Sequence, residues 1–412
     1  MDPRLAVAPE FALSLLAFTL GGCVLGTASG LVPGLHANNM ALLLAAVAPH
    51  APGPPALVGC AMLAAGVVHT FLDVVPALAL GVPDPAMAAG ALPGHRLVLE
   101  GRGREALRLS ALGSGVAVVL TVPLAIPVTE AVTAVYPTVR SNLPVVLGGT
   151  ALALVLTERD WPARLGGACA FAASAALGLL TLDLPVGGPL AGSVLTPLFA
   201  GLFGVPVLLD AVGGAGVPPQ EDAPVFVSRG AVAGLGGVGT LAGAVVGYLP
   251  GVSSAVAATL ALLAVPGKYG ARGFVVATSG VNTANTIFAL FALVALGSPR
   301  TGVLVALSET GVPADGGTLP LLLGAVALAA VAGFALVVVL GDAYLETVGR
   351  ADYTRLSLGV LAMLCVLSYL FAGALGVGIL AAAGVVGQVP VRFGVRRAHL
   401  MGVLMGPLAL GA

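Results

Sequence analysis

Residues 22–49 read GCVLGTASGLVPGLHANNMALLLAAVAP, and residues 239–266 read GTLAGAVVGYLPGVSSAVAATLALLAVP. The two stretches align without a gap. Gly22, Gly26, Gly30, Pro33, Gly34 and Pro49 fall on Gly239, Gly243, Gly247, Pro250, Gly251 and Pro266, and Ala41 and Leu43 fall on Ala258 and Leu260. Further on, Gly81-Val82-Pro83 meets Gly297-Ser298-Pro299, with one residue deleted from the second copy. Single matches mean little in a chain with 59 Gly and 30 Pro among 412 residues, so the signal lies in their joint order and spacing. An internal duplication follows, residues 1–215 forming the first transmembrane repeat and 216–412 the second.

Each copy has a physical reading. Glycines at i, i+4 and i+8 leave one bare stripe on a helix, against which another backbone can lie. Pro-Gly then breaks the helix, because Pro lacks a donor and Gly permits unusual dihedrals. The apolar stretch that follows, closed by Pro49 or Pro266, is short for a full span and suggests a broken or re-entrant helix. Irregular backbone survives at membrane depth only where it is buried or lines a wet cavity. Paired Gly/Pro interruptions in two halves point to the binding site of a secondary transporter. Whether the copies are parallel or inverted depends on the number of crossings per half, which the sequence leaves open.

The rest of the chain supplies the membrane setting. Hydrophobic residues make up 58% of positions and charged residues 8%, against about a quarter charged in soluble domains. Apolar stretches of spanning length run over 11–31, 56–72, 110–128, 230–249, 273–296, 319–340 and 356–380. They are rich in Gly and Ala and lack the alternation of barrel strands. The expectation is an all-α, polytopic helical protein of the cell membrane. Its first helix reads as retained, since no basic n-region precedes it. Cys23, Cys60, Cys169 and Cys365 lie in apolar stretches without metal-ligand spacing and read as packing residues. Gly267-Lys268 lacks the remainder of a phosphate-binding loop, so ATP is not expected to drive the protein directly. No catalytic centre, metal site, cofactor or nucleic-acid partner is read.

Basic residues set the orientation. Arg96, Arg102, Arg104 and Arg108 share one loop, and Arg392, Arg396 and Arg397 form a second cluster; both are expected in the cytoplasm. Asp84, Glu100 and Glu105 read as part of a solvated face with the loop arginines. The segments around Glu130 and from Asp210 to Asp222 are expected to face outward.

Three groups of polar residues stand out in apolar surroundings. His36, Asn38 and Asn39 follow the first break, and Ser253 and Ser254 follow the second. With Pro33, Gly34, Pro250 and Gly251 they would present helix N-termini to an anionic substrate; capping is the plainer role. Thr278, Asn282, Thr283 and Asn285 interrupt a later span and suit a substrate or a dehydrated cation, or else interhelical hydrogen bonds. His69 and Asp73, four apart, form a candidate proton relay. An aspartate at the centre of a membrane helix costs about 2.5–3.5 kcal/mol on insertion scales and needs a partner or a role.

The stretch GTASGLVPGLHANNMALLL, Gly26 to Leu44, resembles the glycine-rich Pro-Gly-Leu block of the TctA family, large membrane subunits of tripartite tricarboxylate transporters. LPGHRLVLEGRGREALRLSALGS, Leu92 to Ser114, is similar to that family's Gly-Arg-Gly loop. Gly81-Val82-Pro83 and Gly297-Ser298-Pro299 resemble its Gly-Ile-Pro-Gly elements, and Asn282 and Asn285 lie where the family carries an asparagine-rich segment. The resemblance runs in order from Gly22 to Pro299, with looser similarity to Ala412. It departs where Asp84 and Arg300 follow the prolines in place of Gly, where SGVNTAN lacks an acidic residue before the asparagines, and at His36. The resemblance implies carboxylate uptake driven by a sodium or proton gradient. It also implies a small membrane subunit and an extracytoplasmic binding protein as partners. A translocase for a lipid-linked anion such as a polyprenyl phosphate is the alternative reading. An intramembrane enzyme using His69 and Asp73 ranks last, for want of a second catalytic group.

Overall fold

The computed structural model describes residues 9–33, 35, 37, 40, 41, 44, 51, 53–81, 91–190, 193–213, 216–222, 224–249, 254–261 and 264–411. Among these, the regular elements are all helical. In chain order they are α1 Pro9–Gly30, α2 Pro55–Leu72, α3 Val74–Leu80, α4 Ala91–Leu99, α5 Gly103–Ser141, α6 Leu143–Leu156 and α7 Trp161–Thr181. Next come α8 Leu195–Phe199, a π turn at Ala200–Gly204, α9 Val205–Ala211, α10 Arg229–Tyr248, α11 Ser254–Ala261 and α12 Gly270–Leu296. The last four are α13 Gly302–Glu309, α14 Leu319–Arg350, α15 Tyr353–Phe393 and α16 Gly402–Leu410. Eight helical stretches are long and apolar enough to cross a membrane, α2 and α3 counting as one across Asp73. The protein is an all-α, multi-pass membrane protein.

The glycine stripes lie where helices pair. A Cβ on Gly22 would run into the carbonyl of Ala61 and one on Gly26 into that of Ala65, while Gly30 sits against His69 and Leu72. In the second stretch Gly239 faces the carbonyl of Ala277, Gly243 that of Val281, and Gly247 sits against Asn285 and Phe288. Each of these partners stands 216 residues after its counterpart: 61 and 277, 65 and 281, 69 and 285, 72 and 288. The α1–α2 contact is thus built a second time as α10–α12. Lipid tails are as apolar as the helix surface, so dispersion across this close backbone approach holds the pairs. Gly81 and Gly297, with φ of 66° and 62°, close α3 and α12 in left-handed caps, which makes the Gly-x-Pro elements helix stops.

The two pairs run in opposite directions. Thr70 meets Thr283, and further along α3 Leu78 flanks Gly94 together with Val275. As the first copy advances from 70 to 78, α12 retreats from 283 to 275. The arrangement of the pairs, open in the sequence, is inverted. Each long helix then packs on the other copy's pair, α5 on α10 and α12, α14 on α1 and α2. The central apolar core lies among these helices, and a second core gathers α6 to α8, the second half of α15, and α16. α15 doubles back at Gly373, with φ 63° and ψ −158°. Eight residues span about 12 Å in a straight helix, yet the carbonyl of Ser368 lies beside Gly376.

The arginine-rich end differs from expectation in two respects. Arg108 pairs with Asp222 at 2.6 Å, and Gly103 N–H donates to Gln220 Oε1 at 2.6 Å. The segment ending in Asp222 therefore lies on the arginine-rich loop and not at the opposite end; its carboxylates offset that loop's positive charge. Glu105, read as solvated, is fully buried. It accepts from Arg102, three residues earlier, at 2.8 Å, and from Arg272 at 2.8 Å and the Phe226 N–H at 3.1 Å, both brought over it from distant segments. Glu100 does lie at the surface, paired with Arg96. Asp84 lies outside the described residues. Both arginine clusters share this end: Arg397 is near Asp210, and Gly213 N–H donates to Thr354 at the start of α15.

Candidate functional site

Where α2 crosses α12, the buried polar side chains of the two glycine-backed pairs meet. Asn282 Nδ2 donates to Asp73 Oδ2 at 2.7 Å, and the Thr70 and Thr283 hydroxyls lie 3.3 Å apart. Thr283 Oγ1 donates to Ser114 Oγ on α5 at 2.9 Å. One turn away on that helix, Ser110 meets Ser279 of α12 at 2.8 Å. Asp73, Asn282, Thr70, Thr283, Ser110, Ser114 and Ser279 are all buried. A chain of hydroxyl and amide groups at this depth is favourable only when its members satisfy one another or a ligand.

Two further polar pairs occupy corresponding places in the two helix pairs. His69 Nδ1 lies 2.9 Å from Ser29 Oγ, which also reaches Met40 Sδ at 2.8 Å. At the equivalent position of α12, Asn285 Nδ2 donates to Ser254 Oγ at 3.1 Å. Asn285 Oδ1 is buried and has no partner among the described residues. An acceptor left so at membrane depth costs about 1–3 kcal/mol until something donates to it or a cation binds it. His69 and Asn285 also each back the third glycine of their stripe, Gly30 and Gly247.

The structure therefore brings together His69, Asp73, Asn282, Thr283, Asn285 and Ser254 from the residues singled out in the sequence. Thr278 is buried but turns its hydroxyl onto its own helix, donating to the Phe274 carbonyl at 3.0 Å. Pro33 closes the first stripe just past Gly30. Gly34, His36, Asn38, Asn39, Pro250, Gly251 and Ser253 lie outside the described residues. The sequence reading missed Ser29, Thr70, Ser110, Ser114 and Ser279. Ser110 and Ser114, four apart in an otherwise apolar span, were the signal available on α5.

A second polar cluster lies in the peripheral core. Glu158 accepts from Arg396 Nε at 2.8 Å and lies 2.9 Å from His399 Nε2. Burial pushes the Glu158 pKa up, but the hydrogen bonds from Arg396 and His399 outweigh it and hold the carboxyl below its ordinary value. Burial lowers the His399 pKa, against the opposing pull of Glu158. With its ion pair and hydrogen bonds made inside the protein, this cluster joins the α6–α7 connection to the end of α15.

A profile of the "Tripartite tricarboxylate transporter TctA family" matches residues 16–402, which include both glycine stripes and the whole buried network. An uncharacterised protein of the archaeon Methanocaldococcus jannaschii is 27% identical over 297 residues, 70% of this chain and 71% of its own length. No solved structure matches. With the family match running through nearly all of an inverted-pair helical membrane fold, the chain belongs to the tripartite tricarboxylate transporter TctA family and is a transporter component.

Proposed function

We propose that the protein is the permease of a secondary transporter for an organic anion, a di- or tricarboxylate, in the cell membrane and driven by a sodium or proton gradient. The observation that carries this is the buried network at the α2–α12 crossing, built from two oppositely running helix pairs. In this reading the duplicated halves, 1–215 and 216–412, close around one site. Backbone N–H groups after Gly34 and Gly251, with His36, Asn38, Asn39, Ser253 and Ser254, hold substrate carboxylates. Asn282, Thr283 and the unpartnered oxygen of Asn285 offer neutral oxygen ligands suited to a dehydrated cation, and Asp73 supplies the negative charge. His69 and Asp73 serve instead as the relay if the coupling ion is a proton.

The arginine-rich end faces the cytoplasm in this reading. A small membrane subunit and an extracytoplasmic binding protein complete the transporter. The test is uptake of labelled succinate and citrate into proteoliposomes, with the candidate partners added, under imposed sodium or proton gradients in turn. Saturable uptake that follows one gradient supports the proposal and names the ion. Failure of both substrates under both gradients, with partners present, rejects the carboxylate assignment.

A further inference from the structure

The two ends of the bundle differ sharply in charge. Arg96, Arg102, Arg104, Arg108, Arg272 and the C-terminal arginines gather at one end. At the other, where α5 and α12 terminate, the described basic residues are Arg140 and Arg300. These two stand together. With Tyr136, Leu143, Leu296 and Ser298 they line one cavity of about 240 Å³.

Arg300 is held in place, and neither guanidinium of the cavity is neutralised among the described residues. Arg300 donates from Nη2 to the Tyr136 hydroxyl at 2.5 Å, and its guanidinium lies 5.0 Å from the centre of the Tyr136 ring. Stacking on an aromatic face fixes the plane of the guanidinium. Its Nε is buried and has no hydrogen-bond partner among the described residues. Neither Arg140 nor Arg300 makes an ion pair among the described residues, whereas most arginines of the opposite end do. Two like charges converging on one hollow repel each other, and an anion placed between them removes that cost. Planar guanidinium forks match carboxylate oxygens.

We propose that Tyr136, Arg140, Ser298 and Arg300 form a capture site for a small di- or tricarboxylate at the end of the bundle opposite the arginine-rich one. Arg300 follows the Gly297 stop of α12, and Asn285 lies eleven residues before Leu296, the last residue of that helix, about 16 Å along its axis. The capture site is thus separate from the buried network. Its role in delivering substrate rests on the transporter reading; the binding does not.

The experiment is calorimetric titration of citrate and succinate into the full chain in lipid nanodiscs, at low and high sodium chloride. Citrate should bind, more weakly at high salt. Arg300→Gln and Arg140→Gln should each weaken it about tenfold or more, and Arg96→Gln, at an exposed arginine of the opposite end, should leave this binding unchanged. Size-exclusion profiles report whether each variant is folded, and Tyr136→Phe, which keeps the ring, should weaken binding less than Arg300→Gln. Wild-type citrate affinity in a folded Arg140→Gln/Arg300→Gln protein would overturn the site, as would no binding to the wild type at low salt. Intact binding with no uptake in proteoliposomes that contain the partners would reject the transport reading and keep the site.

Discussion

Asn282 of α12 donates a 2.7 Å hydrogen bond to Asp73, the residue joining α2 to α3, across the crossing of the two inverted helix pairs. The bond links the two pairs through a carboxyl group that the membrane would otherwise penalise. Asn282→Ala should therefore act on both stability and transport. Loss of the donor is expected to destabilise by about 1–3 kcal/mol and to lower carboxylate uptake at least about tenfold. Adding Asp73→Ala to it should cost less than the sum of the single changes, because the pair acts as a unit. Thermal unfolding in detergent and uptake per folded protein measure the two effects. Full additivity would mean that the bond contributes nothing.

The duplicated stripe makes a paired prediction. Gly22→Ala and Gly239→Ala each place a methyl against a backbone carbonyl, of Ala61 and Ala277, and backbone cannot step aside as a side chain does. Each should cost about 1–3 kcal/mol, with similar values at the two positions. Gly21→Ala and Gly234→Ala, with open space at the Cβ, should be neutral or slightly stabilising. Melting temperatures of the four variants give the comparison.

Those glycines were legible because only one residue type fits where two backbones touch, so the constraint is written directly in the sequence. The inversion was not, since antiparallel and parallel pairs use the same stripe. Asn282 and Asn285 stood out as amides in a hydrocarbon span. Ser110 and Ser114 did not, because a buried hydroxyl satisfying its own helix, as Thr121 and Thr278 do, looks the same in sequence as one that reaches across. Glu105 was misread for a related reason. Its partners Phe226 and Arg272 are more than a hundred residues away, and only the fold lays them over it.

That buried carboxylate should matter far more than its sequence neighbours. Glu105 is held by two guanidiniums and a backbone N–H, and Glu105→Gln leaves Arg102 and Arg272 facing one another without a counter-charge. Breaking a buried pair costs about 3–5 kcal/mol; the partial exposure of both arginines places this case at the lower end. Arg96→Ala, which breaks an exposed pair with Glu100, should cost under about 1 kcal/mol. Comparable melting temperatures for the two variants would contradict the assignment of Glu105 as a structural node.

His399 gives the protein a pH-dependent joint. Burial keeps its imidazole neutral in the folded state below its ordinary pKa, whereas the unfolded chain takes up a proton near pH 6.5. The unfolded state then binds more protons, so this contribution is whole above about pH 6.5 and is lost as the pH falls below it, at up to about 1.4 kcal/mol per pH unit. Glu158, whose folded pKa is depressed, adds stability present above its unfolded value and lost as the pH falls through the folded one. Its effect therefore begins only at more acid pH, below about 4.5. Melting temperature against pH should fall between pH 6.5 and 5 in the wild type and much less in His399→Gln, with the steeper acid loss retained in both. An unchanged slope in His399→Gln would place the titrating group elsewhere.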